Sequence, residues 1–104
     1  MATTQSLKQY QMFINGQWLD AQDGSRFDSL NPANAQPWAS FPHAQEADVD
    51  AAVQAAQNAF ENPTWRSLHA TAQGKLLRKL GDLIAASKQR LAQLESNDNG
   101  KLIR

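Results

Sequence analysis

Turn-forming residues divide this chain into two parts with different hydrophobic periods. Between residues 11 and 42 the turn formers recur every few positions, which leaves no room for a helix of useful length. From residue 43 onward, apolar residues recur with a period near 3.6, which is typical of amphipathic helices. The sequence therefore predicts an α+β fragment with short antiparallel strands and a hairpin in residues 11–42, and three amphipathic helices in residues 43–104.

The first part contains a strong hairpin signal. Two short apolar runs, residues 12–14 and 17–19, flank Asn15-Gly16, and this dipeptide tolerates the positive φ angles of a type I′ turn. Residues 26–30 and 38–41 are predicted as two further strands, joined by a turn through residues 31–34. Pro37 fits only at the start or the edge of the second of these strands. Residues 1–10 lack an apolar run and are predicted to form a flexible tail.

The second part reads as three helices. The first is predicted over about residues 46–60 and the second over about residues 70–86, with Gly81 in its interior. A glycine there costs roughly 1 kcal/mol relative to alanine, so we expect it to mark close packing against a neighbour. The third helix is expected to begin after Ser87 and to close at Gly100, a left-handed residue. The apolar side of the second helix comprises Leu76, Leu77, Leu80, Leu83 and Ile84.

Composition excludes several classes of function. Ten Lys and Arg balance ten Asp and Glu, so nothing favours a nucleic acid or an anionic membrane as a partner. There is no cysteine, which excludes disulfides, thiolate zinc sites and a cysteine nucleophile among these residues. No apolar stretch is long enough for a membrane span. These features agree with a cytoplasmic location, which we predict.

Few polar residues suggest chemistry on their own. His43 and His69 lack a second ligand at metal-binding spacing and are expected at the surface or at helix starts. Asp48 and Asp50 cannot share a helix face, so both are expected to complement the helix dipole from a solvated face. The basic residues after position 70 are expected to be solvated as well, with anion binding as a weaker alternative.

A series of motifs resembles one enzyme family. The hexamer Phe13-Ile14-Asn15-Gly16-Gln17-Trp18 is similar to the opening hairpin of the NAD(P)-dependent aldehyde dehydrogenases. Further motifs occur in the same order as in that family: Asn31-Pro32-Ala33, the helix of residues 47–60, Trp65-Arg66, the helix of residues 76–84, and Asp98-Asn99-Gly100-Lys101. Together they cover nearly the whole chain after the tail. Gln45 departs from the family pattern, because it stands at a usual Ser or Thr cap and is expected to weaken that cap.

The resemblance implies an incomplete enzyme. Residues 43–104 would flank a dinucleotide-binding domain that this chain lacks, within the larger α/β aldehyde dehydrogenase fold. The complete enzyme would oxidise aldehydes to carboxylic acids with NAD or NADP, using a cysteine that forms a thiohemiacetal and a glutamate that activates water. Those residues lie downstream in the family, so we expect no catalytic or cofactor-binding residue here. Expected partners are the remainder of the same enzyme and the other subunits of a homo-oligomer.

The resemblance also implies a structural monovalent cation. In many members of the family such an ion is held by two backbone carbonyls before the Asn-Pro turn and by the Asp of the Asp-Asn-Gly-Lys turn, here Ser29, Leu30 and Asp98. Ligation by oxygen alone suits a hard cation. An alternative of equal weight is that Asp98 only caps a turn beside Gly100.

A free-standing helical binding or oligomerisation module is the alternative function. It would use the apolar face of the second helix to dock a partner. The polypeptide reaches Leu102-Ile103-Arg104 without a polar tail, which predicts a truncated chain rather than a finished module.

Overall fold

The computed structural model describes residues 7–103. Strands and helices follow each other in two blocks, as the hydrophobic periods predict. The strands are β1 (Lys8–Gln9), β2 (Met12–Ile14), β3 (Gln17–Leu19), β4 (Arg26–Asn31) and β5 (Gln36–Pro42), and the helices are α1 (Glu46–Glu61), α2 (Pro63–Arg66), α3 (Ala70–Ala86) and α4 (Lys88–Asn99).

Strands β2 and β3 form the predicted hairpin. They pair antiparallel around Asn15 and Gly16, whose φ angles of 53° and 74° are those that a type I′ turn requires. Phe13 and Trp18 are cross-strand partners with ring centroids 4.8 Å apart. The hairpin prediction is confirmed.

A second sheet has the strand order β1-β5-β4. The antiparallel register of β4 and β5 jumps from Ser29 opposite Ala39 to Leu30 opposite Pro37, so Trp38 is an extra residue in β5. This β-bulge shifts the alternation of side chains by one residue and brings Trp38 to the same side of the sheet as Phe41, with ring centroids 6.1 Å apart. Pro37 lies near the start of β5, as predicted.

The prediction of a flexible tail over residues 1–10 is wrong at its end. Lys8 and Gln9 form β1 and pair in parallel with Ala39 and Ser40, and the backbone N–H of Tyr10 donates to the carbonyl of Ser40 at 3.0 Å. The prediction rested on the lack of an apolar run, whereas this short strand is held by backbone hydrogen bonds and by the Tyr10 ring, which stacks on Phe41. The start of the tail, residues 1–6, lies outside the described residues.

The three predicted helices are present, with one addition. Helix α3 has the predicted bounds, and α4 is flanked by Ser87 and Gly100, whose φ is 76°. The additional helix, α2, is a single turn that begins at Pro63. Asn62 caps it by accepting a hydrogen bond from the backbone N–H of Thr64 at 2.9 Å. Asn62-Pro63 therefore ends α1 and also starts α2, because proline suits the first position of a helix.

These elements do not enclose a core. Among the described residues the buried hydrophobic side chains are two alanines, Ala21 and Ala39. The radius of gyration is 17.8 Å, whereas about 13 Å is typical of a compact domain of this length. The smallest dimension is 17 Å, about the thickness of a helix lying on a sheet. The described part of the chain is an open slab, and none of its helices is long and apolar enough to cross a membrane.

The packing between elements is uneven. Helix α4 lies on β4, and α1 contacts both β2 and α2. Helix α3, although it is the longest, makes no comparable contact with another element of the described residues. Its five large apolar side chains, Leu76, Leu77, Leu80, Leu83 and Ile84, are called the leucine face below, and each of them is at least 50% exposed.

We predict that the isolated 104-residue polypeptide does not behave as a stable monomer. Because its large apolar side chains stay exposed, it should melt over a broad range, bind a hydrophobic dye and self-associate. Circular dichroism during heating and size-exclusion chromatography would measure this. A sharp two-state transition of a monomer would contradict the prediction and favour the free-standing module.

Candidate functional site

The end of α4 meets the end of β4 in a contact between distant parts of the chain. The Ser29 hydroxyl donates a hydrogen bond to Oδ1 of Asp98 at 2.5 Å, across 69 positions of sequence. Beside it, Gly100 closes α4 in the left-handed conformation, and a Cβ there would lie 3.3 Å from Cβ of Pro32. Glycine thus meets two needs, a positive φ and close approach. We call this contact the β4–α4 junction, comprising Ser29, Pro32, Asp98 and Gly100.

The junction is flanked by two turns in which an asparagine side chain accepts a hydrogen bond from the backbone two residues further on. The Asn31 side chain accepts a hydrogen bond from the backbone N–H of Ala33 at 2.9 Å. On the other side, the Asn99 side chain accepts one from the N–H of Lys101 at 2.8 Å. Asparagine favours such turns because its side-chain oxygen reaches the backbone two residues further on. The junction is therefore encoded by two local motifs, which the fold brings together.

Two of the three residues implied as cation ligands meet in this junction. Ser29 and Asp98 are in direct contact, and Leu30 follows Ser29 in β4. Residues 7–103 contain no cluster of three His, Cys, Asp or Glu side chains that could hold a metal ion. A cation here would therefore need backbone carbonyls as ligands, which is the donor set that the family resemblance implies.

The alternative, in which Asp98 caps the turn beside Gly100, receives less support. The side chain that accepts from the turn's backbone at Lys101 is that of Asn99, not that of Asp98. The Asp98 carboxylate instead accepts from Ser29, on the strand. The contact of Asp98 is thus between two elements and not within its own turn.

A second group of contacts centres on Arg26, which sequence analysis did not single out. Its guanidinium donates to the carbonyl of Tyr10 at 2.7 Å, and to Oγ and the carbonyl of the buried Ser40 at 2.9 Å each. It also pairs with Asp20 at 3.3 Å, just after the hairpin. Arg26 thus ties β4 to β5 and to the residues on both sides of the hairpin. A lone arginine at the start of a strand gives no sequence signal for this role.

Asp48 holds the start of α1. It is 3% exposed, and its carboxylate accepts from the backbone N–H of Gln45 at 2.9 Å and from that of Gln22 at 3.0 Å. The expectation that Asp48 lies on a solvated face is therefore wrong, whereas Asp50 is exposed as expected. A signal was available, because an acidic residue three positions after a helix cap is typical of a capping box. Asp48 also compensates for the weaker cap expected from Gln45.

The histidines lie where the sequence predicts them. His43 and His69 are both exposed; His43 lies before α1, and His69 is the residue before α3. The backbone N–H of His43 donates to the carbonyl of Ser25 at 2.8 Å.

One carboxyl group has a perturbed acidity. Ser25 donates its hydroxyl and its backbone N–H to Oδ1 of Asp23, at 2.6 and 2.9 Å. These bonds hold the pKa of Asp23 below its ordinary value of 3.8. Because the pKa is lowered by folding, the resulting stabilisation is present above that ordinary value and is lost as the pH falls through the folded pKa.

The comparisons with known proteins agree with this fold. The model of the aldehyde dehydrogenase family matches residues 18–104. A dehydrogenase from Acinetobacter baylyi, named for (Z)-2-((N-methylformamido)methylene)-5-hydroxybutyrolactone, is 46% identical over 98 residues, which are 94% of this chain and 20% of that protein. The chain belongs to the aldehyde dehydrogenase family, a class of oxidoreductases.

Solved structures show the same geometry. A mutant of the aldehyde dehydrogenase from Bacillus cereus superimposes with a TM-score of 0.86 and 44% identity, covering 90% of this chain and 19% of that one. The complex of the Bacillus cereus enzyme with NAD+ gives 0.85 and 42%, covering 88% and 19%. The chain spans between 10% and 20% of the length of the first curated relatives that it matches. The structure is thus a fragment of the aldehyde dehydrogenase fold.

The buried carboxylate of Asp48 gives a prediction. We consider a chimera of the Bacillus cereus enzyme in which residues 7–103 replace the matching segment, called the chimera below. Asp48→Asn should lower its melting temperature, because the amide group must face one of two backbone N–H donors at a cost of roughly 2 kcal/mol. The exposed Asp50→Asn is the matched control and should change little. Equal effects of the two substitutions would contradict the assigned role.

Proposed function

We propose that this chain is the amino-terminal structural segment of an enzyme that oxidises aldehydes to carboxylic acids with NAD or NADP. The observation that carries the proposal is the superposition of nearly the whole chain on enzymes of this family, one of them in complex with NAD+. Membership in the family indicates the class of reaction. The small share of each relative that the chain covers indicates that it is one segment of such an enzyme.

The chemistry implied by the family resemblance requires groups from outside these residues. A cysteine thiolate would add to the aldehyde carbon, hydride would pass to the nicotinamide to leave a thioester, and a glutamate would activate the water that releases the acid. The 104 residues contain no cysteine. We therefore infer that they are catalytically incompetent alone and bind no cofactor by themselves.

The contribution of this segment is structural, because its polar contacts fix the relative positions of its strands and helices. Arg26 fixes the strands and the hairpin, Asp48 fixes the start of α1, and the β4–α4 junction fixes the last helix. The expected partners are the remainder of the same enzyme and the other subunits of a homo-oligomer, in the cytoplasm. Neither nucleic acid nor membrane is among the proposed partners.

A structural monovalent cation is part of the proposal. The carbonyls of Ser29 and Leu30 and the carboxylate of Asp98 would hold it. The ion would then bridge α4 and the backbone of β4. Support comes from the contact of Ser29 with Asp98 and from the oxygen-only character of the donors.

The free-standing binding module remains the second candidate, because the leucine face is exposed. Its weakness is that a module must fold before it binds. The described residues bury two alanines and no large side chain as a hydrophobic core, which is little for a domain of this size.

The chimera tests the proposed enzyme segment. It should oxidise an aldehyde with NAD+ at a rate within about tenfold of the parent enzyme, since the chain follows the same path at 44% identity. The 104-residue chain alone should show no turnover. In addition, the coding sequence past Arg104 should continue into a glycine-rich turn, a glutamate and a cysteine. A folded but inactive chimera would overturn the proposal.

The cation is tested by the salt dependence of stability. At constant ionic strength, replacing a bulky organic cation by Na+ or K+ should raise the melting temperature of the chimera, because an ion that binds only the folded state stabilises it. Asp98→Asn should abolish this rise, whereas Asp82→Asn, an exposed carboxylate on α3, should preserve it. A rise of the same size in the Asp98→Asn variant would show that no cation binds at the junction.

A further inference from the structure

The leucine face packs little against the described residues, although Leu76 lines a hollow with Trp65 and Leu68. Its members lie within one third of the circumference of α3, while Lys75, Arg78 and Asp82 lie on the opposite side. All five members are between 50% and 65% exposed. A helix of this length is marginal in water when nothing packs against it. The stability of α3 must therefore come from whatever covers this face.

The elements on both sides of α3 are held by contacts of their own. On one side, α1 contacts α2 and the hairpin strand β2. On the other side, α4 is held on β4 by the hydrogen bond between Ser29 and Asp98 and by the approach of Gly100 to Pro32. The leucine face thus lies between two held parts of the chain, while α3 itself depends on a partner for its stability.

A groove extends this surface. It has a volume of about 440 Å³ and lies where α3 meets α4. Gly81 lines it, and a Cβ at that position would have nothing within 4 Å. The neighbour expected from the sequence at Gly81 is therefore not among the described residues. The other lining residues are Ile84, Ala85, Lys88, Leu91, Ala92 and Glu95.

Two occupants could cover the leucine face, a second copy of the chain or the remainder of an aldehyde dehydrogenase. A second copy paired along α3 would leave the large apolar residues of other elements in water. Among these are Phe13 on the hairpin, Phe27 on β4 and Phe60 on α1, each at least 51% exposed. A much larger body can cover all of them, and in the Bacillus cereus enzyme the same path accounts for only 19% of the chain.

We propose that the leucine face and its groove are the docking surface for the remainder of the enzyme, and that this contact is strong enough to hold the two parts together without a peptide bond. The inference rests on the proposed function. Its physical basis is an interface rich in leucine and drawn from several elements, which resembles a divided protein core and is typical of permanent interfaces.

The test uses the chimera with a protease site inserted after residue 103. Once folded, the protein is cleaved at that site and passed through size-exclusion chromatography at falling concentrations, and its aldehyde oxidation is measured. The two parts should elute together and keep their activity. Leu80→Gln should raise the dissociation constant at least about tenfold, because a leucine loses most of its burial gain. Arg78→Gln, on the opposite side of α3, is the matched control and should have no such effect.

The outcomes separate this inference from the proposed function. If the uncleaved chimera is active but its parts separate on cleavage, the docking inference is wrong and the enzyme segment stands. If Leu80→Gln and Arg78→Gln weaken the contact equally, another surface carries it and the inference is also wrong. An inactive uncleaved chimera would contradict the proposed function itself. If the released amino-terminal part forms a dimer that Leu80→Gln abolishes, and it does not bind back, a second copy is the occupant.

Discussion

The hydrogen bond between Ser29 and Asp98 joins the strands of this chain to its last helix. Around it, Gly100 approaches Pro32 so closely that a methyl group would be in contact. The rest of the arrangement depends on this junction, because α3 packs on no other element to a similar extent. With α4 held on β4, the carboxyl end of α3 leads into a fixed element, while the leucine face stays exposed.

Several polar side chains find partners within the described residues, whereas the large apolar side chains are left uncovered. Arg26, Asp48 and Asp98 each bond across elements, and together they define the shape of the slab. Large apolar side chains remain exposed on both sheets and on several helices. Directional contacts thus fix the geometry, whereas the burial that stabilises folded domains is left to another body. This division is what a segment of a larger enzyme of the aldehyde dehydrogenase family requires.

Local sequence signals predicted most helices and strands. They could not predict contacts between residues that lie far apart in the sequence. The Asn15-Gly16 turn and the 3.6-residue period of α3 depend on neighbouring residues, so the hairpin and the bounds of α3 follow from the sequence. Strand β1 depends on pairing with β5, and the bulge at Trp38 depends on the pairing of β5 with β4; both were missed. Asp48 was misjudged because its second donor, Gln22, lies 26 positions away. The ligands proposed for the cation came from family resemblance, not from spacing.

The separation between Ser29 and Asp98 also orders events during synthesis. The hairpin and the pairing of β4 with β5 are closed by short turns and can form as soon as those residues leave the ribosome. The bond across 69 positions must wait until α4 has emerged. The entropic cost of closing a loop grows only slowly with its length. The time before this hydrogen bond forms is therefore set by the rate of translation, and not by the time that Ser29 and Asp98 need to meet. Until then, the nascent chain carries its strands without the helix that lies on β4.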